Sequence, residues 1–127
     1  MTTTVLRTAD AWYVQTDTGA GRIDTTAATT ADLLRDPAAI DAARNAAGGV
    51  APDTLDLVSP VTTPCRVVAQ MTNYASHVKD SGMDPATVPL TFFRKASGSI
   101  NGPTDDIVKP AHVRFMDYEV EIGLVIG

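Results

Sequence analysis

The sequence predicts an α+β chain that is mainly β, and three observations carry this. Several stretches alternate apolar and polar residues with period two, one short helix is punctuated at both ends, and the composition changes near Pro64. That change separates a small N-terminal α+β module, residues 1–64, from residues 65–127. The first part is rich in Thr and Ala and poor in reactive side chains, while residue types capable of chemistry are denser in the second.

Taken in order, "VLRTADAWYVQTDTGAGRID" reads as a hairpin with Trp12 and Val14 on one face, Tyr13 on the other, and "GAG" as turn chemistry. In "RDPAAIDAARNAAGG", Asp36 stands at an N-cap, Pro37 at the first helical position, and Gly48 and Gly49 past the end. "LDLVSPVTTP" returns to extended chain, and Pro60 and Pro64 mark the boundary. "CRVVAQ" reads as a buried strand. "MTNYASHVKDSG" reads as a turn leading into a short helix, with Asn73 as cap and Gly82 as stop. "LTFFRK" is strand-like and runs into a loop of Ser97, Gly98, Ser99, Asn101 and Gly102, whose small residues let backbone amides approach a ligand. "KPAHVRF" is a proline-flanked extended stretch in which His112 has no assigned role. The final "FMDYEVEIGLVIG" reads as a strand with Tyr118, Val120, Ile122, Leu124 and Ile126 on a core face and Glu119, Glu121, Gly123 and Val125 on the other.

Composition narrows the classes. A chain of 127 residues with 44% hydrophobic and 20% charged residues suits one small globular domain, and no apolar run approaches the ~20 residues of a membrane span. "MTTTVLRTAD" lacks the basic start and apolar block of a secretory signal. The single Cys65 has no partner for an internal disulfide or a structural zinc site, so a cytoplasmic location is expected. With 15 acidic against 10 scattered basic residues and a net charge of -5, nucleic acid is not expected as a partner.

Two constellations could carry chemistry. His77 and Asp80 stand three apart on the short helix, where a carboxylate can orient an imidazole and raise its basicity; the same spacing also suits a plain surface pair. Glu119 and Glu121 have Cβ atoms roughly 7 Å apart in a strand, from a rise of about 3.3 Å per residue, and both could lean toward one hard cation. Equally, they could face solvent at the start of the strand. Arg94 and Lys95 could pin an anionic substrate or simply lie exposed at a strand end.

The order of "NYASHVKD", "FFRKASGSINGP" and "DYEVEIGLVIG" resembles the fumarylacetoacetate hydrolase family over Cys65 to Gly127. The N-terminal 64 residues fit the small, variable module of many members. The resemblance implies that residues 65–127 form the first part of a mixed β-sandwich roll, incomplete in this chain. It implies that Glu119 and Glu121 bind Mg²⁺, alternatively Mn²⁺ or Ca²⁺, as hard cations that take oxygen ligands. His77 would be the base that activates water, helped by Asp80 where relatives usually have the longer Glu. Lys95, Ser97, Tyr74 and, more weakly, Arg94 would contact substrate.

The implied substrates are small 2-oxo acids or 1,3-dicarbonyl compounds, and the implied reaction is hydrolysis of a carbon–carbon bond in a 2,4-diketo acid such as an acylpyruvate. Oxaloacetate decarboxylation, isomerisation or hydration of 2-oxo acids from aromatic catabolism, and a non-catalytic relative are the alternatives. Relatives usually form homodimers. They also continue past the E-x-E strand with a third carboxylate ligand, a lysine and more of the sheet, so a remaining C-terminal segment or a second chain is expected to complete the site.

Overall fold

The computed structural model describes residues 2–46 and 48–126. The chain forms two compact units, one of residues up to 62 together with those from 101 onward, the other of residues 63–100. Among the described residues are five short strands in two antiparallel sheets and three short α-helices, an α+β arrangement that is mainly β.

In the first unit, β1 (Val5–Arg7), β2 (Trp12–Thr16) and β3 (Gly19–Arg22) make an antiparallel sheet in sequential order, with Val5 opposite Val14 and Tyr13 opposite Arg22. The alternation expected for β2 is present: Trp12 and Val14 are buried and Tyr13 is half-buried. They pack with Ile23, Leu33, Ile40 and Ala43 into the core, where each fully buried aliphatic side chain contributes about 1.5–3 kcal/mol. The Trp12 indole Nε1 donates to the Ala27 carbonyl at 2.9 Å, which satisfies its one polar atom inside that core. On the adjacent strand the Arg7 guanidinium lies 5.3 Å from the Trp12 ring centroid and donates to the Ser59 carbonyl at 3.1 Å.

Two helices follow the sheet, and Leu33 of the first and Ile40 and Ala43 of the second bring them to its core. In α1 (Thr30–Leu34) the Thr29 hydroxyl accepts from the Asp32 N–H at 3.1 Å, and in α2 (Pro37–Asn45) the Asp36 carboxylate accepts from the Ala39 N–H at 3.1 Å. Pro37 opens α2, where its missing N–H costs nothing. Residues 58–62 are tied back by Thr30 and Thr62, each backbone N–H donating to the other's hydroxyl, at 3.0 and 2.9 Å.

Two expectations are corrected here. "GAG" is not the turn; it opens β3, and the turn falls on Asp17 and Thr18. The glycines serve close approach: a Cβ at Gly21 would stand 2.8 Å from the Ala43 carbonyl oxygen, and one at Gly19 2.8 Å from that of Val50. The second correction concerns 117–126, which forms no strand among the described residues; Tyr118, Val120, Ile122, Leu124 and Ile126 are each more than 80% exposed. Alternation supplies a face, but a strand also needs a hydrogen-bonding neighbour and an opposing layer, and no described residue provides either.

In the second unit β4 (Val67–Gln70) pairs antiparallel with β5 (Phe92–Lys95), with Val68 opposite Arg94 and Gln70 opposite Phe92. Between them lies α3 (Ala75–Asp80), whose Val78 is buried. The expected strand at "CRVVAQ" exists but is not buried: Val68 is 60% exposed, and Phe92 and Phe93 on β5 are also exposed. A two-stranded ribbon has no second layer of its own to cover such a face.

Candidate active site

The candidate base sits on α3. β4 ends at Gln70, the Met71 N–H donates to the Thr91 carbonyl at 2.9 Å, and Thr72 then turns the chain with φ +49°. Helical geometry starts at Ala75, so Tyr74 and not Asn73 occupies the N-cap, and no side chain caps the helix there. Thr72 turns the chain before Asn73, and the helix begins one residue later than the sequence suggested. At the other end the His77 carbonyl accepts from both the N–H and the hydroxyl of Ser81, at 3.1 and 3.0 Å, and Gly82 follows with φ +75° as the expected stop.

Val78 anchors α3 inward. His77, one residue and thus about 100° round the helix, is exposed, as is Asp80. No hydrogen bond or ion pair joins His77 to Asp80 among the described residues. The aspartate is near in sequence yet does not hold the imidazole.

β5 carries Arg94 and Lys95, both exposed, with the Lys95 ammonium 5.7 Å from the Phe93 ring centroid. Ser97 begins a short 3-10 turn, Ser97–Ser99, and its Oγ accepts from the Cys65 N–H at 3.0 Å. The antiparallel register separates the candidates within this unit. Lys95 lies opposite Val67, at the end where β4 begins, whereas α3 follows the other end of β4. A four-residue strand makes that separation about 10 Å. Tyr74 and His77 thus belong to one end of the ribbon, and Lys95 and Ser97 to the other.

Glu119 and Glu121 lie in the exposed segment, and neither makes a hydrogen bond or ion pair among the described residues. Their carboxylates are the hard oxygen donors that a divalent cation takes, so the donor chemistry fits. The number is short of a cage: no cluster of three or more His, Cys, Asp or Glu suited to a metal occurs among the described residues. Sequence reading missed Thr72, because nothing in "MTN" signals a left-handed threonine.

The sequence was compared with known proteins. Residues 66–127 match the family described as fumarylacetoacetate (FAA) hydrolase C-terminal. The chain belongs to the fumarylacetoacetate hydrolase family. It is similar to oxaloacetate tautomerase Fahd2a, mitochondrial, of Rattus norvegicus, 34% identical over 99 residues that make up 75% of this chain and 31% of the relative. It is also similar to oxaloacetate tautomerase FAHD2A, mitochondrial, of Homo sapiens, 40% identical over 55% of this chain and 22% of the relative. A third relative is 2,4-didehydro-3-deoxy-L-rhamnonate hydrolase of Sphingomonas sp. (strain SKA58), 41% identical over 54% of this chain and 24% of the relative. The chain therefore spans less than a third of the length of these curated relatives. No solved structure matches it significantly.

Proposed function

We propose that this chain is part of a divalent-metal-dependent hydrolase that cleaves a carbon–carbon bond in a 2,4-diketo acid, with His77 as the general base. The observation that carries the reading is the presentation of His77: buried Val78 anchors α3 while the imidazole faces solvent, in the segment that carries the family match. The neutral imidazole takes a proton from water, and the water oxygen adds to the distal carbonyl carbon. The carbon–carbon bond then breaks with its electron pair going to the 2-oxo acid as an enolate, and the proton held on His77 returns to that carbon. From the far end of the ribbon the long Lys95 and Arg94 side chains reach back to the substrate carboxylate, with Ser97 beside them and Tyr74 as a contact at the His77 end. Held by Glu119 and Glu121, a Mg²⁺, Mn²⁺ or Ca²⁺ ion would polarise the carbonyl and stabilise the negative charge of the departing enolate.

The same reading takes residues 1–64 as a separate module and residues 65–127 as the first part of a β-sandwich roll. The rest of the roll, supplied by further polypeptide or a second chain, covers the apolar side chains of 117–126 and adds metal ligands. A cytoplasmic homodimer acting on small molecules completes the proposal. The exposure of those side chains and the short span of the relatives that this chain matches support the completion of the roll by further polypeptide.

A second reading is favoured by the oxaloacetate tautomerase names of two relatives. There His77 moves a proton between carbon and oxygen of an oxaloacetate-like keto acid, and decarboxylation draws on the same enolate. Turnover of acetylpyruvate and oxaloacetate by the intact protein, with each metal and with a chelator, beside Glu119→Ala and His77→Ala, separates the readings. Metal-dependent hydrolysis of acetylpyruvate, lost in both variants, is the expected result. Enol–keto exchange or carbon dioxide release from oxaloacetate alone selects the second reading, and no turnover of either marks a non-catalytic relative.

A further inference from the structure

Thr72 carries two costs at one position. Its backbone lies at φ +49°, where a β-branched side chain is disfavoured, and its hydroxyl oxygen is sealed from solvent with no hydrogen-bond partner among the described residues. Glycine or asparagine would occupy that backbone at less cost, and valine would leave no orphaned hydroxyl. A strained residue of this kind persists only where its surroundings hold it.

Hydrogen bonds hold the chain on both sides of Thr72. Before Thr72, the Met71 N–H bonds the Thr91 carbonyl and continues the β4–β5 ladder. After it, the Val78 N–H bonds the Tyr74 carbonyl at 3.0 Å, and the Val78 side chain is 2% exposed. With no side-chain cap on α3, the backbone turn between ribbon and helix sets the direction in which the helix leaves.

We propose that Thr72 is a positioning residue whose left-handed turn sets the heading of α3 and so the place of the His77 imidazole. The inference rests on His77 acting as the base of the proposed reaction.

The test uses Thr72→Pro, Thr72→Gly and Thr72→Val in the intact protein, read by residue-resolved amide hydrogen exchange and by steady-state kinetics. Thr72→Pro, locked at negative φ, forbids the left-handed turn: amides of 75–80 exchange about fivefold faster or more with the rest unchanged, and kcat falls roughly tenfold or more with KM within about twofold, whereas Thr72→Gly accepts the turn and keeps both within about twofold of the parent. Thr72→Val keeps the β-branched shape and sheds the orphaned hydroxyl, so exchange and kcat stay within about twofold of the parent. Unchanged exchange in α3 for Thr72→Pro overturns the proposal, as does loss of protection spread over the whole chain. Faster exchange in α3 with unchanged kcat in an active enzyme overturns it too. An inactive parent, or a His77→Ala variant as active as the parent, instead overturns the reaction assigned to His77, while the exchange data still decide whether Thr72 sets the helix.

Discussion

The Ser97 hydroxyl accepts a hydrogen bond from the Cys65 N–H at 3.0 Å, across the open end of the β4–β5 ribbon. This ties the residue that enters β4 to the residue that leaves β5. Ser97→Ala leaves the Cys65 N–H without its partner and should cost about 0.5–1.5 kcal/mol in denaturant unfolding. Ser97→Thr, which keeps the acceptor, should stay closer to the parent. Equal stability of Ser97→Ala and parent would show that water replaces the bond without loss.

Asp80 makes no bond to His77. Asp80→Asn is therefore expected to keep kcat within about threefold, whereas His77→Ala should lose roughly 10²–10⁴-fold, the usual contribution of a positioned base. Asp80→Glu reaches one methylene further and should raise kcat. A large loss in Asp80→Asn would reveal an orienting contact made only with substrate bound.

Glu119→Gln and Glu121→Gln each remove one carboxylate charge from an exposed pair. Loss of an outer-shell partner alone typically weakens metal affinity by about 10–100-fold, so each variant should weaken Mg²⁺ binding at least that much in calorimetric titration of the intact protein. Unaltered affinity would place the metal elsewhere.

Gly21 lies against the Ala43 carbonyl, and its Cβ would meet backbone at 2.8 Å. Gly21→Ala should push β3 from α2 and destabilise the N-terminal module by about 1–3 kcal/mol. Gly98→Ala, at an open position, should be near neutral. Thermal unfolding of both variants decides whether close approach is what the site requires.

Trp12 places its ring in the core and its Nε1 on the Ala27 carbonyl. Trp12→Ala should cost about 3–5 kcal/mol, and Trp12→Phe less, with the lost hydrogen bond as the main difference. Proteolysis that cleaves residues 1–62 first in Trp12→Ala would locate the damage.

The local features were legible because their causes are local. Asp36 and Pro37 open α2 through a bond and a fixed dihedral within a few residues, Gly48 lies just past its end, and the alternation of Trp12, Tyr13 and Val14 chooses a face by pleat geometry alone. The family was legible as well, since "NYASHVKD", "FFRKASGSINGP" and "DYEVEIGLVIG" lie in the matched segment. "GAG" was misread because its role is set by the backbones of Ala43 and Val50, more than 20 residues away.

By itself, then, the sequence determined the family, the helix α2 of the N-terminal module and the alternating strand that carries Trp12 and Val14. Only the tertiary structure decided that β4 and β5 form an uncovered ribbon, that Lys95 and His77 belong to its opposite ends, and that Thr72 rather than Asn73 shapes the start of α3. It also decided that the alternating side chains of 117–126 remain exposed. The physical reason is one of range: caps and pleats are closed by neighbours in the chain, whereas a strand's partner, a buried face and a strained turn are closed by residues that only folding brings near.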